Sequence, residues 1–334
     1  MTLSALTSIR RRTAVLLTAT AVLLGCAASA QQASALEVGV NDDAVLLSGQ
    51  YYSRNLALQQ ARAMGATWVR VNFTYADYAR PKNHYQFLDG LVSAAKANGM
   101  SVYLTLTGTS QQDRKGSKTI GYNKPNVKKY AAWVKTVAKH LKGKVRRYAV
   151  WNEPQFPYFL SPTRTGPQQY CNLYKAGYAA LKSVDKKNKV LWGELAPRRD
   201  PLKFLARAAC RGTKTDGLAF HPYAIAPGVT DIYQTKKIRA AAKKYLHTGN
   251  LYYTEFGYLS LQSGSPFGKP DSQRAALTVA GYKYAKKNAG KYGIKNLTYY
   301  ILVHPPFRLS FDSGIINTNS TPTPVYTALR NFLV

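Results

Sequence analysis

The chain has 334 residues, room for one large domain or two ordinary ones, and no segment after the N-terminal leader is apolar enough for long enough to cross a membrane. Its 47 lysines and arginines stand against 15 acidic residues, a formal net charge of +32. Such a field attracts polyanions, including anionic cell-wall polymers and nucleic acid, but the lysines are spread over many predicted helices, which excludes a dedicated nucleic-acid arm and reads as solubility and adhesion.

The N-terminus has the pattern of an export signal. Arg10, Arg11 and Arg12 precede an apolar run from Ala14 to Gly25, broken only by Thr18 and Thr20. Two small-residue sites follow, Ala28-Ser29-Ala30 and Ala33-Ser34-Ala35. Residues 1–35 are expected to be a signal peptide cut after residue 30 or 35, with Leu24-Gly25-Cys26 as a lipoprotein-type alternative. Residues 36–334 then form the folded, secreted part. It contains two cysteines, Cys171 and Cys210. In an exported protein a disulfide is the expected state, and two buried thiols are the alternative.

From Glu37 onward, short β-rich runs alternate with longer helical patterns. Glu37–Asn41 is a predicted strand, followed by a helix over Ser53–Met64. Thr67–Asn72 and Ser101–Thr107 are the second and third strands, with helices over Gln86–Asn98 and Asn126–Leu141 after them. Val145–Trp151 and Lys189–Gly193 are the fourth and fifth, followed by helices over Pro167–Val184 and Asp200–Cys210, the latter with Pro201 at its first position. Asp216–His221 and Asn250–Glu255 are the sixth and seventh, with helices over Asp231–Leu246 and Ser272–Asn288. Leu297–Val303 is the eighth, and Pro324–Leu333 the closing helix. Eight strand–helix pairs in strict order predict an α/β fold with one closed (β/α)8 TIM barrel. No G-x-G-x-x-G follows the first strand, against a dinucleotide fold, and no G-x-S-x-G elbow is present, against a serine hydrolase. No cysteine–histidine cluster has metal-ligand spacing, so neither metal nor cofactor is expected.

In such a barrel the chemistry sits at the C-terminal ends of the strands. The chain has only four glutamates, and three of them end predicted strands. Glu153 ends the fourth in Trp151-Asn152-Glu153-Pro154, Glu194 the fifth in Trp192-Gly193-Glu194, and Glu255 the seventh in Thr254-Glu255-Phe256-Gly257. Two carboxylates facing each other across a barrel mouth suit glycoside hydrolysis. One holds a proton for the leaving oxygen; the other is ionised to attack the anomeric carbon or activate water.

The W-N-E-P and T-E-F-G segments resemble the two signatures of glycoside hydrolase clan A, which includes the family 5 cellulases and mannanases and the family 39 xylosidases. The resemblance runs over almost all of the mature chain. It implies a retaining enzyme with Glu153 as acid/base and Glu255 as nucleophile. It places Asn152 at the sugar 2-hydroxyl, Arg70 beside the nucleophile, and His221 and Tyr223 as an H-x-Y pair in the site. Glu194 is read as a supporting or surface carboxylate. One feature departs from the clan: the eighth strand, Tyr299-Tyr300-Ile301-Leu302-Val303-His304, lacks the tryptophan that floors the subsite before the scissile bond. Tyr300 or His304 is expected in its place.

Two functions follow. One is a monomeric, retaining glycosidase for a β-linked poly- or oligosaccharide. The other is a non-catalytic, cationic wall-binding protein on a glycosidase-derived barrel.

Overall fold

A computed structural model describes residues 36–78, 85–108 and 122–334. The expected signal peptide and Cys26 lie outside the described residues. Eight strands close into a barrel: β1 (Glu37–Asn41), β2 (Trp68–Thr74), β3 (Ser101–Thr107), β4 (Arg147–Val150), β5 (Lys189–Leu195), β6 (Gly217–Phe220), β7 (Leu251–Phe256) and β8 (Ile294–Tyr300). Each pairs in parallel with its sequence neighbours, and β8 returns to β1 with Val38 opposite Leu297. The expected (β/α)8 barrel is the fold.

The outer ring is formed by α1 (Arg54–Ala63), α2 (Gln86–Ala97), α3 (Val127–His140), α4 (Gly166–Val184), α5 (Pro201–Ala208), α6 (Thr235–Leu246), α7 (Asp271–Tyr292) and α8 (Pro324–Leu333). Their starts are locally encoded. Ser53 and Asn126 accept from backbone N–H groups of the first turns of α1 and α3, and a proline opens α4, α5 and α8. Apolar faces such as Tyr130, Trp133, Val134 and Val137 of α3 pack inward on the strands. The inside of the barrel is filled at one level by Tyr103, Ala149, Leu191, Ala219 and Tyr252. Towards the N-terminal end of the strands, Arg147 lies 3.5 Å over the Trp68 ring and pairs with Glu37 at 2.8 Å. The fourth glutamate is thus used to close the end away from the other three.

Around β8 the structure departs from the sequence pattern. The preceding helix runs on to Tyr292 instead of stopping at Asn288, and β8 is Ile294–Tyr300 instead of Leu297–Val303. Gly290 is tolerated inside the helix, and the stop is the second glycine, Gly293, at φ +67°. Ile301, Leu302 and Val303 are buried without continuing the ladder, so an apolar loop run imitated a strand. Cys171 on α4 and Cys210, two residues past the end of α5, form a disulfide with Cα atoms 6.0 Å apart. Among the described residues no helix is long and apolar enough to cross a membrane.

Candidate active site

The C-terminal ends of the strands surround a cleft of about 1080 Å³, lined by Asn152, Glu153, Tyr223, Glu255 and Tyr300 among others. At its floor Arg70, the third residue of β2, is only 1 % exposed and uses its whole donor fork. Nη1 donates to Glu255 Oε1 and to Asn41 Oδ1, both at 2.6 Å. Nη2 donates to Asn152 Oδ1 at 2.9 Å and Glu194 Oε2 at 3.0 Å, and Nε to Thr105 Oγ1 at 3.1 Å. One guanidinium therefore joins side chains from β1, β2, β3, β5 and β7 and from the end of β4.

Glu194 is fully buried. Besides Arg70 it accepts from Thr254 at 2.7 Å, Thr105 at 3.1 Å and the Tyr103 hydroxyl, and it meets His221 Nε2 at 2.6 Å. Burial alone would raise its pKa, but the charges and hydrogen bonds of Arg70 and His221 pull it down to about 2. Of the two readings of Glu194, the supporting one holds and the surface one does not.

Glu255 takes Arg70 on one oxygen and the Tyr223 hydroxyl on the other, at 2.7 Å. Glu153 has 18 % side-chain exposure and meets His221 Nδ1 at 2.9 Å. Its pKa is raised, chiefly by burial and further by the Glu255 charge, against the opposing hydrogen bond from His221. Burial works against a charged His221, yet Glu255 and the bonds to Glu153 and Glu194 push its pKa up to about 9, which favours the imidazolium form between the Glu153 and Glu194 side chains. Oxygens of Glu153 and Glu255 and a nitrogen of His221 lie within 4.8 Å of one another.

The backbone at these strand ends is unusual. Trp151, Glu153 and Glu194 adopt left-handed conformations at φ +71°, +42° and +50°, which is uncommon for residues other than glycine and clusters at functional sites. Glu153 N–H donates to the Glu194 carbonyl at 3.0 Å, which ties the two ends together. Within β5, Gly193 at φ +114° lies where a Cβ would come within 2.6 Å of the Ala219 carbonyl oxygen.

All seven expected site residues converge: Arg70, Asn152, Glu153, His221, Tyr223, Glu255 and Tyr300. His304 does not join them. It is buried against Asp312, Nδ1 to Oδ2 2.7 Å, and faces a separate pocket of about 470 Å³. Tyr300 lines the cleft and packs with Tyr223 and Phe311, whose rings lie 6.3 and 5.7 Å from it. Phe311, which follows β8 by eleven residues, and Asn41 and Asp43 also belong to the site, although no sequence motif above points to them. The polar run Asn41-Asp42-Asp43 at the end of β1 was an available signal. Asp43 holds Asn72 through two hydrogen bonds of 2.8 Å and lines the cleft.

Glu153 and Glu255 thus stand in different surroundings at the mouth of a (β/α)8 barrel, an arrangement compatible with a clan A glycoside hydrolase. The family model described as cellulase, glycosyl hydrolase family 5, matches residues 31–296. The chain belongs to that family. No curated protein matches it. Among solved structures it is similar to a family 39 glycoside hydrolase from the gut symbiont Bacteroides cellulosilyticus WH2, with TM-score 0.69 and 17% identity over 90% of this chain and 64% of that one. It is similar to a family 39 β-xylosidase from Caulobacter crescentus, with TM-score 0.67 and 17% identity over 88% and 70%. It is also similar to β-glycosidase BGL167, with TM-score 0.66 and 16% identity over 90% and 96%. The first of these is the longer protein, and this chain spans 64% of it. At such identities the likeness is one of fold.

Proposed function

We propose that the protein is a secreted, retaining β-glycosidase acting by double displacement, with Glu153 as acid/base and Glu255 as nucleophile. The observation that supports this is the convergence of the two carboxyl groups on His221 Nδ1, at 2.9 Å from Glu153 and 3.4 Å from Glu255, in otherwise unlike surroundings. Retaining enzymes hold the pair about 5–5.5 Å apart, whereas inverting ones leave about 6.5–9.5 Å for a water. Arg70 and Tyr223 hold the two oxygens of Glu255, which fixes the plane of the carboxylate beneath the anomeric carbon. In the first step Glu255 bonds to that carbon while the glycosidic C–O bond breaks and Glu153 gives its proton to the departing oxygen. In the second, Glu153 as carboxylate takes a proton from water, whose oxygen displaces Glu255. Asn152, positioned by Arg70, donates its amide N–H towards the sugar 2-hydroxyl. Export rests on the pattern of residues 1–35, and the Cys171–Cys210 disulfide suits an oxidising compartment. The cationic surface suits retention near anionic wall polymers.

The test is a panel of aryl β-glycosides and β-glucans, mannans and xylans, with the first-formed sugar anomer followed by NMR. Turnover with retention, abolished in Glu255→Ala, is expected. Inversion would overturn the roles of Glu153 and Glu255. No turnover on any substrate would favour a wall-binding protein instead.

A further inference from the structure

The two ends of the cleft differ in charge. On a ring of eight strands β1 stands opposite β5. At the β1 end the charged residue that lines the cleft is Asp43. The β4 and β5 loops are different. Phe156 and Tyr158 follow Glu153, and Arg198 and Arg199 follow β5. The Arg198 guanidinium lies 5.9 Å over the Phe267 ring, and that of Arg199 5.4 Å over the Phe156 ring. Phe156, Tyr158, Phe267 and Arg198 all line the cleft.

This cationic loop is held in place. Gln155 donates to the Ala196 carbonyl at 2.9 Å and Thr230 N–H to the Pro197 carbonyl at 2.9 Å. Arg199 and Asp200 both adopt left-handed backbone, at φ +58° and +47°. Both arginines are exposed, and among the described residues neither has a carboxylate partner. An aromatic face beneath a guanidinium provides a stacking surface for a ring and a planar donor fork beside it, which matches a carboxylate in two-point contact.

A general acid delivers its proton to the leaving oxygen, so the leaving group extends on the side of Glu153, towards β4 and β5. We infer that the leaving side of the cleft binds a sugar bearing a carboxylate, a uronic acid, with its ring on Phe156 or Phe267 and its carboxylate on Arg198 and Arg199. This rests on the role proposed for Glu153. The glycone side, where Asp43 would repel a second anion, takes a neutral sugar. The substrate class is then a β-linked glycan in which a neutral unit precedes an acidic one.

The test is calorimetric titration of the non-hydrolysing Glu255→Gln protein with two matched probes, glucosyl-β-1,4-glucose and glucosyl-β-1,4-glucuronic acid. The acid is expected to bind about fivefold tighter at low salt, the scale of one exposed ion pair, and the preference to shrink as salt rises. Arg198→Ala/Arg199→Ala in the same background removes the preference. Lys236→Ala/Lys237→Ala, which takes the same two charges from the exposed face of α6, keeps it and so separates the site from the overall field. Equal affinities, no binding of the acid, a preference that survives the arginine substitutions, or one lost equally with the lysines would each overturn the inference. The titration reads binding alone, so a wild-type protein that turned over no glycoside would overturn the glycosidase mechanism and leave this result standing.

Discussion

Glu194 is fully buried and pairs with both Arg70 and His221. Replacing it by glutamine keeps its shape and removes its charge. The drop of its pKa from 4.5 to about 2, at ~1.4 kcal/mol per pH unit, corresponds to about 3 kcal/mol of stability at neutral pH. Breaking a buried ion pair from one side gives a similar figure, about 3–5 kcal/mol. The sign follows from a folded-state pKa below the unfolded one: the contribution is complete above about pH 4.5 and is lost as pH falls through about 2. Urea unfolding of wild type and Glu194→Gln at pH 7, 5, 3 and 2 reads it directly. The wild type is expected to lead by about 3 kcal/mol at pH 7, by roughly half of that at pH 3, and by little at pH 2. A lead that stayed constant across this range would mean that the loss came from shape and not from charge. No loss at pH 7 would refute the account of Glu194 as the anion on which Arg70 and His221 depend.

Two further outcomes are expected. Glu153→Ala should slow substrates with poor leaving groups far more than activated aryl glycosides, and azide should restore part of its turnover as a glycosyl azide with the substrate's anomeric configuration. Equal losses for good and poor leaving groups, with no azide product, would remove the acid/base role from Glu153. Cys171→Ser/Cys210→Ser opens a bridge with a sequence separation of 39 and should lower unfolding free energy by ~3–4 kcal/mol on the chain-entropy account. Unchanged urea unfolding would show that the bridge constrains little in the unfolded chain.

The barrel was legible because each strand and helix carries its own local signal. β1 and β3 fall on their predicted residues, as does α8. The one displaced strand, β8, lies where two glycines follow each other within a few residues and an apolar loop continues the strand pattern. Periodicity does not separate a buried loop from a buried strand. The site residues were legible where they stand at strand ends in short motifs, as Glu153 and Glu255 do. Phe311 was not, because a loop brings it to the cleft and loop paths leave no period in the sequence. The burial of Glu194 was also hidden. A strand-end carboxylate looks the same in sequence whether it meets water or five donors, and only the fold brings Tyr103, Thr105 and Thr254 to it. His221 gave a hint of the site but not of its link to Glu153, which opposes the effect of burial on that carboxyl.

The arrangement around Arg70 and His221 bears on how an interior this dry tolerates a change of covalent state. With Glu153 protonated, the five groups comprise two cations, Arg70 and His221, and two anions, Glu194 and Glu255. In the proposed first step Glu255 becomes a neutral ester in the same event that leaves Glu153 ionised. The tally of buried charge is the same before and after: one anion is extinguished and another appears within 4.8 Å of it, still in contact with the same imidazolium. The reaction moves a negative charge a short way across a fixed cationic frame and never changes its total. Large solvation penalties attach to net charge in a low-dielectric interior, and neutrality at both stages lets the glycosylated form persist without water flooding the floor of the cleft.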